Sequence, residues 1–402
     1  MNKKVILWLV ALFVTFQAYA QTPKYVFLFI GDGMGLTQVS AAEAYLSAKD
    51  NVIANKYLSF SRFPIIGLCT TFSANDFVTC SSAAATALAC GFKTNNGMLN
   101  ISPAGDTLRP ITYKLRDIGY KIGVATTVGI NHATPAAFYA ASDKRNDYYG
   151  IATQLPSSRF NFFAGGDFID PKGKKNDKPD VREYITAAGY TIIRNYQEAT
   201  AEKDKVVLFQ TETKGNALPT AIRREQNDLT LAQITEAAIK VLDNDKGFFV
   251  MIEGGQIDWT CHSNDGAAAV YETIDFADAV QVAVEFYKKR PDETLIIVTA
   301  DHETGGMGLK MGKDANLLLV DEKIDRSPVD SKTYMSADEK KKEEKDALAL
   351  HNQRIGFGWT TDDHTGVAVP VYAIGAGSEL FGGKMDNTEI PNRICKAMKI
   401  SD

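Results

Sequence analysis

A chain of 402 residues, 45% hydrophobic and 23% charged, is long enough for one large domain or two ordinary ones. A net charge of -5 and a pI near 5.7 exclude the basic footprint of a nucleic-acid binder. A small anionic substrate stays open, because local metals and arginines override a mildly acidic surface.

Lys3 and Lys4 precede the apolar run Val5 to Phe16, and Ala18-Tyr19-Ala20 is an A-x-A-like cleavage site. That is the pattern of a secretory signal peptide over residues 1–20, too short and wrongly flanked for a membrane span. The expectation is a mature chain from near Gln21, periplasmic or secreted, with no later span. Five cysteines (Cys69, Cys80, Cys90, Cys261 and Cys395) lie in the mature part without a C-x-x-C pair. A zinc–thiolate site is not expected, and the odd number leaves at least one thiol unpaired.

Tyr25 to Ile30 is an apolar run of strand length, followed at once by Gly31-Asp32-Gly33-Met34-Gly35. Its glycines permit a tight turn and close backbone approach, with Asp32 at the strand's carboxyl end. The spacing is not that of a dinucleotide loop. From Thr79 the chain reads TCSSAAATALACG, a helix-forming run over Ala83 to Ala89 with Gly91 as its stop. Ser81 and Ser82 fall at its start. Two readings stand there: an ordinary serine N-cap, or a serine nucleophile on a helix N-terminus that favours phosphate.

Residues 112–118 pattern as a helix and Lys121 to Thr127 as a strand, followed by the donor-rich loop Asn131-His132-Ala133-Thr134-Pro135. Arg145 sits in the polar stretch Ser142 to Tyr149. Phe160 to Gly166 reads as strand and turn, Lys172 to Lys178 as a charged loop, Lys205 to Gln210 as a strand, and Leu229 to Leu242 as an amphipathic helix.

Gly247 to His262 (GFFVMIEGGQIDWTCH) organises the rest. Phe248 to Ile252 reads as a strand buried on both faces, with Glu253, Asp258 and His262 beyond it. A helical turn after Gly255 puts Asp258 and His262 on one face, either as a metal pair or as a helix cap beside a surface histidine. Leu295 to Thr299 repeats the pattern with Asp301 and His302 at its end. Gly312 to about Gln353 is rich in lysine and acid and reads as an exposed insertion with a solvated helix, its charges too mixed for a nucleic-acid patch. The core returns past Asp363-His364-Thr365-Gly366 into a late strand, Ala368 to Ile374.

Strands alternating with helices predict an α/β fold, three layers around a mostly parallel sheet, with ligands at the strands' carboxyl ends. Asp32, Glu253 and Asp301 all fall there, and four of the five histidines (His132, His262, His302, His364) lie in nearby Gly/Asp/Thr-rich loops. Imidazoles with carboxylates suit zinc, and an all-oxygen set suits magnesium.

Six stretches in order carry a resemblance over nearly the whole mature chain: GDGMG, TCSSAAATALACG, HATPAAF with Arg145, EGGQIDWTCH, TADHETGG and DHTG. Together they resemble the alkaline phosphatase family. The resemblance implies a single catalytic domain over 21–402 with a small crown-like insertion at about 307–355. It implies two zinc ions, one on Asp258, His262 and His364 and one on Asp32, Asp301 and His302. A magnesium ion would take oxygens of Asp32, Thr134 and Glu253. Ser81 would be the nucleophile, Arg145 the bidentate phosphate clamp, and His132 and Trp259 substrate-side residues. Small phosphate monoesters are the implied substrates, hydrolysed through a phosphoserine with an alkaline optimum.

Three positions depart from the family pattern. Cys80 stands where many members carry an aspartate that helps hold the arginine, which implies a looser Arg145 and faster phosphate release. His132 and Trp259 replace the enterobacterial aspartate and lysine, leaving the third metal open between magnesium, zinc and cobalt. The insertion after Gly306 is short, so a homodimer would have a reduced interface. A sulfatase would need an arginine four residues after Cys80, where Ala84 stands. A phosphodiesterase of the same superfamily would lack Thr134, Glu253 and the arginine clamp, and a non-catalytic binding protein would not need Ser81.

Overall fold

The computed structural model describes residues 22–53, 56–210, 216–310, 315–322 and 337–400, the last without the side chains of 337–341. The expected signal peptide and part of the charged stretch after Gly312 lie outside the described residues.

Ten strands form one sheet: β1 Tyr25–Gly31, β2 Ile65–Thr70, β3 Lys121–Thr126, β4 Phe162–Gly165, β5 Thr191–Ile193, β6 Val206–Phe209, β7 Phe248–Gly254, β8 Thr294–Thr299, β9 Val369–Gly375 and β10 Gly383–Asp386. Their order is β10-β2-β9-β8-β1-β7-β3-β4-β6-β5. Every pairing is parallel except those of β9, which runs antiparallel to both β2 and β8. The expected α/β architecture is the one observed.

The central strands read as continuous apolar runs because both faces are covered. Tyr25, Phe27, Phe29 and Phe248 point to one face and meet Phe276 and Phe286 of a long helix, Gly266–Lys289. Phe249, one residue on, points to the other face against Phe138. Each such fully buried side chain contributes about 1.5–3 kcal/mol relative to exposure. β2, β5 and β10 escape a reading by apolar pattern because they are short or half exposed, two of them at the sheet's edges.

Six helices matter below: α1 Leu36–Lys49, α2 Ser81–Cys90, α3 Leu231–Leu242, α4 Gln256–His262, α5 Gly266–Lys289 and α6 Ala337–Ile355. A capping box between Thr230 and Gln233 starts α3. At the start of α2 the cap position belongs to Cys80, without a side-chain cap bond, so neither Ser81 nor Ser82 is the N-cap. Gly91 closes that helix in the left-handed region at φ 75°. The loop expected at residues 131–135 contains one helical turn, Ala133–Ala136.

The charged stretch after Gly306 is tied down at both ends. Gly308–Leu309 pairs antiparallel with Phe357–Gly358, and Asp321 accepts hydroxyl bonds from Tyr45 on α1 and Tyr271 on α5. α6 is not wholly solvated as expected: Leu348, His351, Asn352 and Ile355 on its later turns are buried. All five cysteines are free thiols. Among the described residues no helix is long and apolar enough to cross a membrane.

Candidate active site and metal centre

Register sets the site. Thr299, Ile30, Glu253 and Thr126 lie side by side across β8, β1, β7 and β3, so Asp32 and Asp301 fall two residues beyond one common row. Glu253 is therefore inside its strand rather than beyond it. The turn after β1 is pressed against the loop after β8: Gly33 N–H donates to Asp301 Oδ1 at 3.1 Å. A Cβ on Gly33, whose φ is +74°, would stand 2.7 Å from Thr304 Oγ1 and 2.9 Å from the Asp258 Cα. Only glycine fits there.

Three groups of candidate ligands converge, each with its donor atoms within 4.8 Å: Asp258, His262 and His364; Asp32, Asp301 and His302; Asp32, His132 and Glu253. The first two are the sets the resemblance implied. The third brings in His132, which sequence reasoning had put on the substrate side. Thr134 Oγ1 is buried there too and has no hydrogen-bond partner.

The imidazoles are aimed by what holds their other nitrogen. His262 Nδ1 donates to the Asp362 carbonyl at 2.7 Å, and His364 Nδ1 to the Thr79 carbonyl at 2.8 Å. His302 Nδ1 lies 3.2 Å from Thr304 Oγ1, which also donates to Asp258 Oδ1 at 2.5 Å. Each ring thus presents Nε2: His262 to Asp258 at 3.3 Å, and His302 to Asp32 at 3.4 Å and Asp301 at 3.3 Å. Outer partners of this kind fix tautomer and orientation in metal sites. Thr126 donates likewise to Glu253. Thr126 and Thr304 were not singled out in the sequence; their only signal was a threonine at or just beyond a strand end.

The electrostatics ask for cations. Asp32, Glu253, Asp301 and Asp258 are at most 4% exposed. Burial, then Asp301 and other neighbouring carboxylates, pushes Asp32 well above the usual carboxylate range; burial and Asp258 do the same to Asp301. Burial raises Glu253 to about 7. Asp258 is the exception, since His262, His302 and His364 outweigh its burial and hold it ionised. His262, bonded to Asp258, is raised to about 9, whereas burial and Arg145 push His132 down to about 3. Both Asp32 oxygens, Asp301 Oδ2, Glu253 Oε1 and His132 Nδ1 have no hydrogen-bond partner. Unsatisfied buried carboxylates are costly, and bound divalent cations would satisfy all of them. The donor set fits such ions.

Ser81 stands at the first turn of α2, buried, with Oγ 3.3 Å from His302 Nε2. Cys80 Sγ accepts the Gly97 N–H at 3.1 Å and lies 3.2 Å from Ser82 Oγ; these bonds outweigh its burial and lower its pKa. The Arg145 guanidinium acts electrostatically on Asp32, Cys80, His132 and His302, and has no hydrogen-bonding or ion-pair partner among the described residues. Trp259 is half-buried, its ring edge-on to His132 at 5.7 Å.

Known proteins resemble this chain over most of its length. The sequence model of the family described as alkaline phosphatase matches residues 23–161 and 157–400. Alkaline phosphatase 3 of Bacillus subtilis is 34% identical over 421 residues, spanning 94% of this chain and 89% of that protein. The alkaline phosphatase of the Antarctic bacterium TAB5 has a similar structure, with TM-score 0.77 and 32% identity over 95% of this chain and 100% of the other. A variant of the TAB5 enzyme with one histidine replaced by glutamate has magnesium bound in its M3 site; it matches at TM-score 0.76 and 32% identity, over 95% of this chain and 99% of its own. The chain belongs to the alkaline phosphatase family and is a phosphoric monoester hydrolase.

Proposed function

We propose that this chain is an exported enzyme that hydrolyses phosphate monoesters through a phosphoserine on Ser81. In this reading residues 21–402 form one catalytic domain carrying the inserted segment at about 307–355. Asp258, His262 and His364 hold one zinc ion, and Asp32, Asp301 and His302 hold a second. Asp32, Thr134 and Glu253 hold magnesium, with the His132 ring alongside. When bound, these cations would supply Lewis acidity at the attacking, transferring and leaving oxygens.

The chain's own groups do the rest. Ser81 Oγ, on the helix N-terminus, attacks phosphorus; the Ser81 O–P bond forms as the ester P–O bond breaks and the alcohol oxygen leaves in line. Its proton passes to solvent water or hydroxide, because His302, Asp32 and Asp301 are taken up as metal ligands in this reading. The Arg145 guanidinium, without a hydrogen-bonding or ion-pair partner among the described residues, is available to grip two phosphoryl oxygens. Water then cleaves the phosphoserine, releasing inorganic phosphate and restoring Ser81. An alkaline medium keeps the oxygen nucleophiles deprotonated, which favours a high pH optimum.

One observation carries the reading: buried carboxylate oxygens without hydrogen-bond partners, on Asp32 and Asp301, flank His302, whose Nε2 lies 3.3 Å from the buried Ser81 Oγ. The magnesium bound in the M3 site of the related variant supports a divalent ion in the third cluster. The test is turnover of an aryl phosphate monoester against an aryl diester, with zinc and magnesium, after chelation, and as Ser81→Ala. Monoester preference by several orders of magnitude, and a fall of about 10³-fold or more in the variant, is expected. Preference for the diester would move the chain to the phosphodiesterase branch.

A further inference from the structure

Beside the metal centre lies a cleft of about 510 Å³, a size that encloses a small organic molecule. Its lining includes His262 and Trp259 of α4, Leu348 and Lys345 of α6, and at the rim the exposed Arg223. The rim is anchored. Arg224 grips Asp275 of α5 with both terminal nitrogens, at 2.5 and 3.1 Å, and Ala221 N–H donates to Glu272 Oε1 at 2.6 Å. Arg223 between them is exposed, with no ion-pair partner among the described residues, whereas Lys345 is neutralised by Asp362 at 3.0 Å. Trp259 is steadied by His132, so the cleft joins a fixed aromatic surface to an unneutralised guanidinium.

A chain of imidazole contacts links Ser81 to the cleft. Ser81 touches His302, the His302 ring stacks on His364 at 3.6 Å, His364 Nε2 is 3.1 Å from His262 Nε2, and His262 lines the cleft. An in-line displacement sends the departing oxygen away from the nucleophile, and the cleft is the cavity that this chain of contacts reaches.

We infer that the cleft is the leaving-group subsite and favours monoesters of alcohols that carry a flat heteroaromatic base, of nucleoside size, over those of small alcohols. The base would lie on Trp259 while Arg223 stacks on it or donates to its acceptor atoms. This inference rests on the phosphoserine reading above.

The test compares kcat/KM for adenosine 5′-monophosphate and glycerol 1-phosphate, both esters of primary alcohols, in the metal-loaded protein, Arg223→Ala and Leu348→Trp. The unmodified chain is expected to prefer the nucleotide by about tenfold or more, and either variant to lose most of that ratio. Adenosine should also quench tryptophan fluorescence in the chelated protein, more weakly after Arg223→Ala. A ratio near one, or one unchanged in both variants, overturns the subsite. If neither ester turns over while adenosine still binds, the phosphoserine reading falls and the leaving-group role falls with it, leaving a nucleoside site only.

Discussion

Two halves of the same sheet make an instructive pair. β1, β7 and β8 end in Asp32, Glu253 and Asp301; β4 and β6, equally parallel and apolar, end near Asp167 and Gln210. In the second half the Asp167 and Gln210 side chains are partnered. Asp167 accepts from Arg182 at 2.5 Å and from Phe168 N–H at 2.7 Å, and Gln210 accepts the Leu229 N–H at 2.9 Å while donating to Asp228. In the first half, oxygens of three buried carboxylates are left without a hydrogen bond. Both sets of side chains sit in the crevice position that the topology creates. A finished polar network reads as structure, and an unfinished one reads as a place for something else.

The comparison breaks most easily by chelation. Removing metals should cut monoester turnover by about 10³-fold or more. It should also leave a chain whose melting temperature falls as pH rises. Asp32 and Asp301 have raised pKa values when folded, so between the unfolded value of about 4 and their folded values the native state binds more protons than the unfolded one. Stability of the chelated chain is then greatest at the acid end of that window. Melting curves from pH 5 to 9, with and without zinc and magnesium, would show it. A chelated chain as stable at pH 9 as at pH 5 would remove the distinction between the halves.

Next in size is Arg145→Ala. The guanidinium makes no hydrogen bond or ion pair among the described residues, so the variant should fold normally while kcat/KM for an aryl monoester drops about 10- to 100-fold. On the other half the expectation reverses. Asp167→Ala strips Arg182 of one of its carboxylate partners and should cost about 1–3 kcal/mol in denaturant melts, with kcat/KM within about twofold of the parent. A large activity loss there would mean that the partnered half also serves the reaction.

The smallest effect concerns Glu272, which burial raises to about 8. The folded chain keeps this proton up to that pH and the unfolded chain loses it near about 4, so stability falls across the interval as pH rises. Glu272→Gln keeps an acceptor for Ala221 N–H but carries no charge. It should therefore gain on the order of 1 kcal/mol at pH 9 and nothing at pH 5, read as the difference in melting temperature at the two pH values.

The architecture was legible because both-face burial writes itself as uninterrupted apolar runs. Tyr25–Gly31, Phe248–Gly254 and Thr294–Thr299 each took their place, and the acids following or ending them marked the crevice. Asp258 and His262 were readable as a pair because four residues make one helical turn. Local pattern could not announce β2, β5 or β10, whose exposed positions dilute the signal, nor the reversed direction of β9, which is a matter of chain path. Nor could it set His132 beside Asp32 and Glu253, give the cap of α2 to Cys80, or bury the later turns of α6. Those depend on which strands become neighbours and at what register, and that is decided only when residues more than a hundred positions apart pack together.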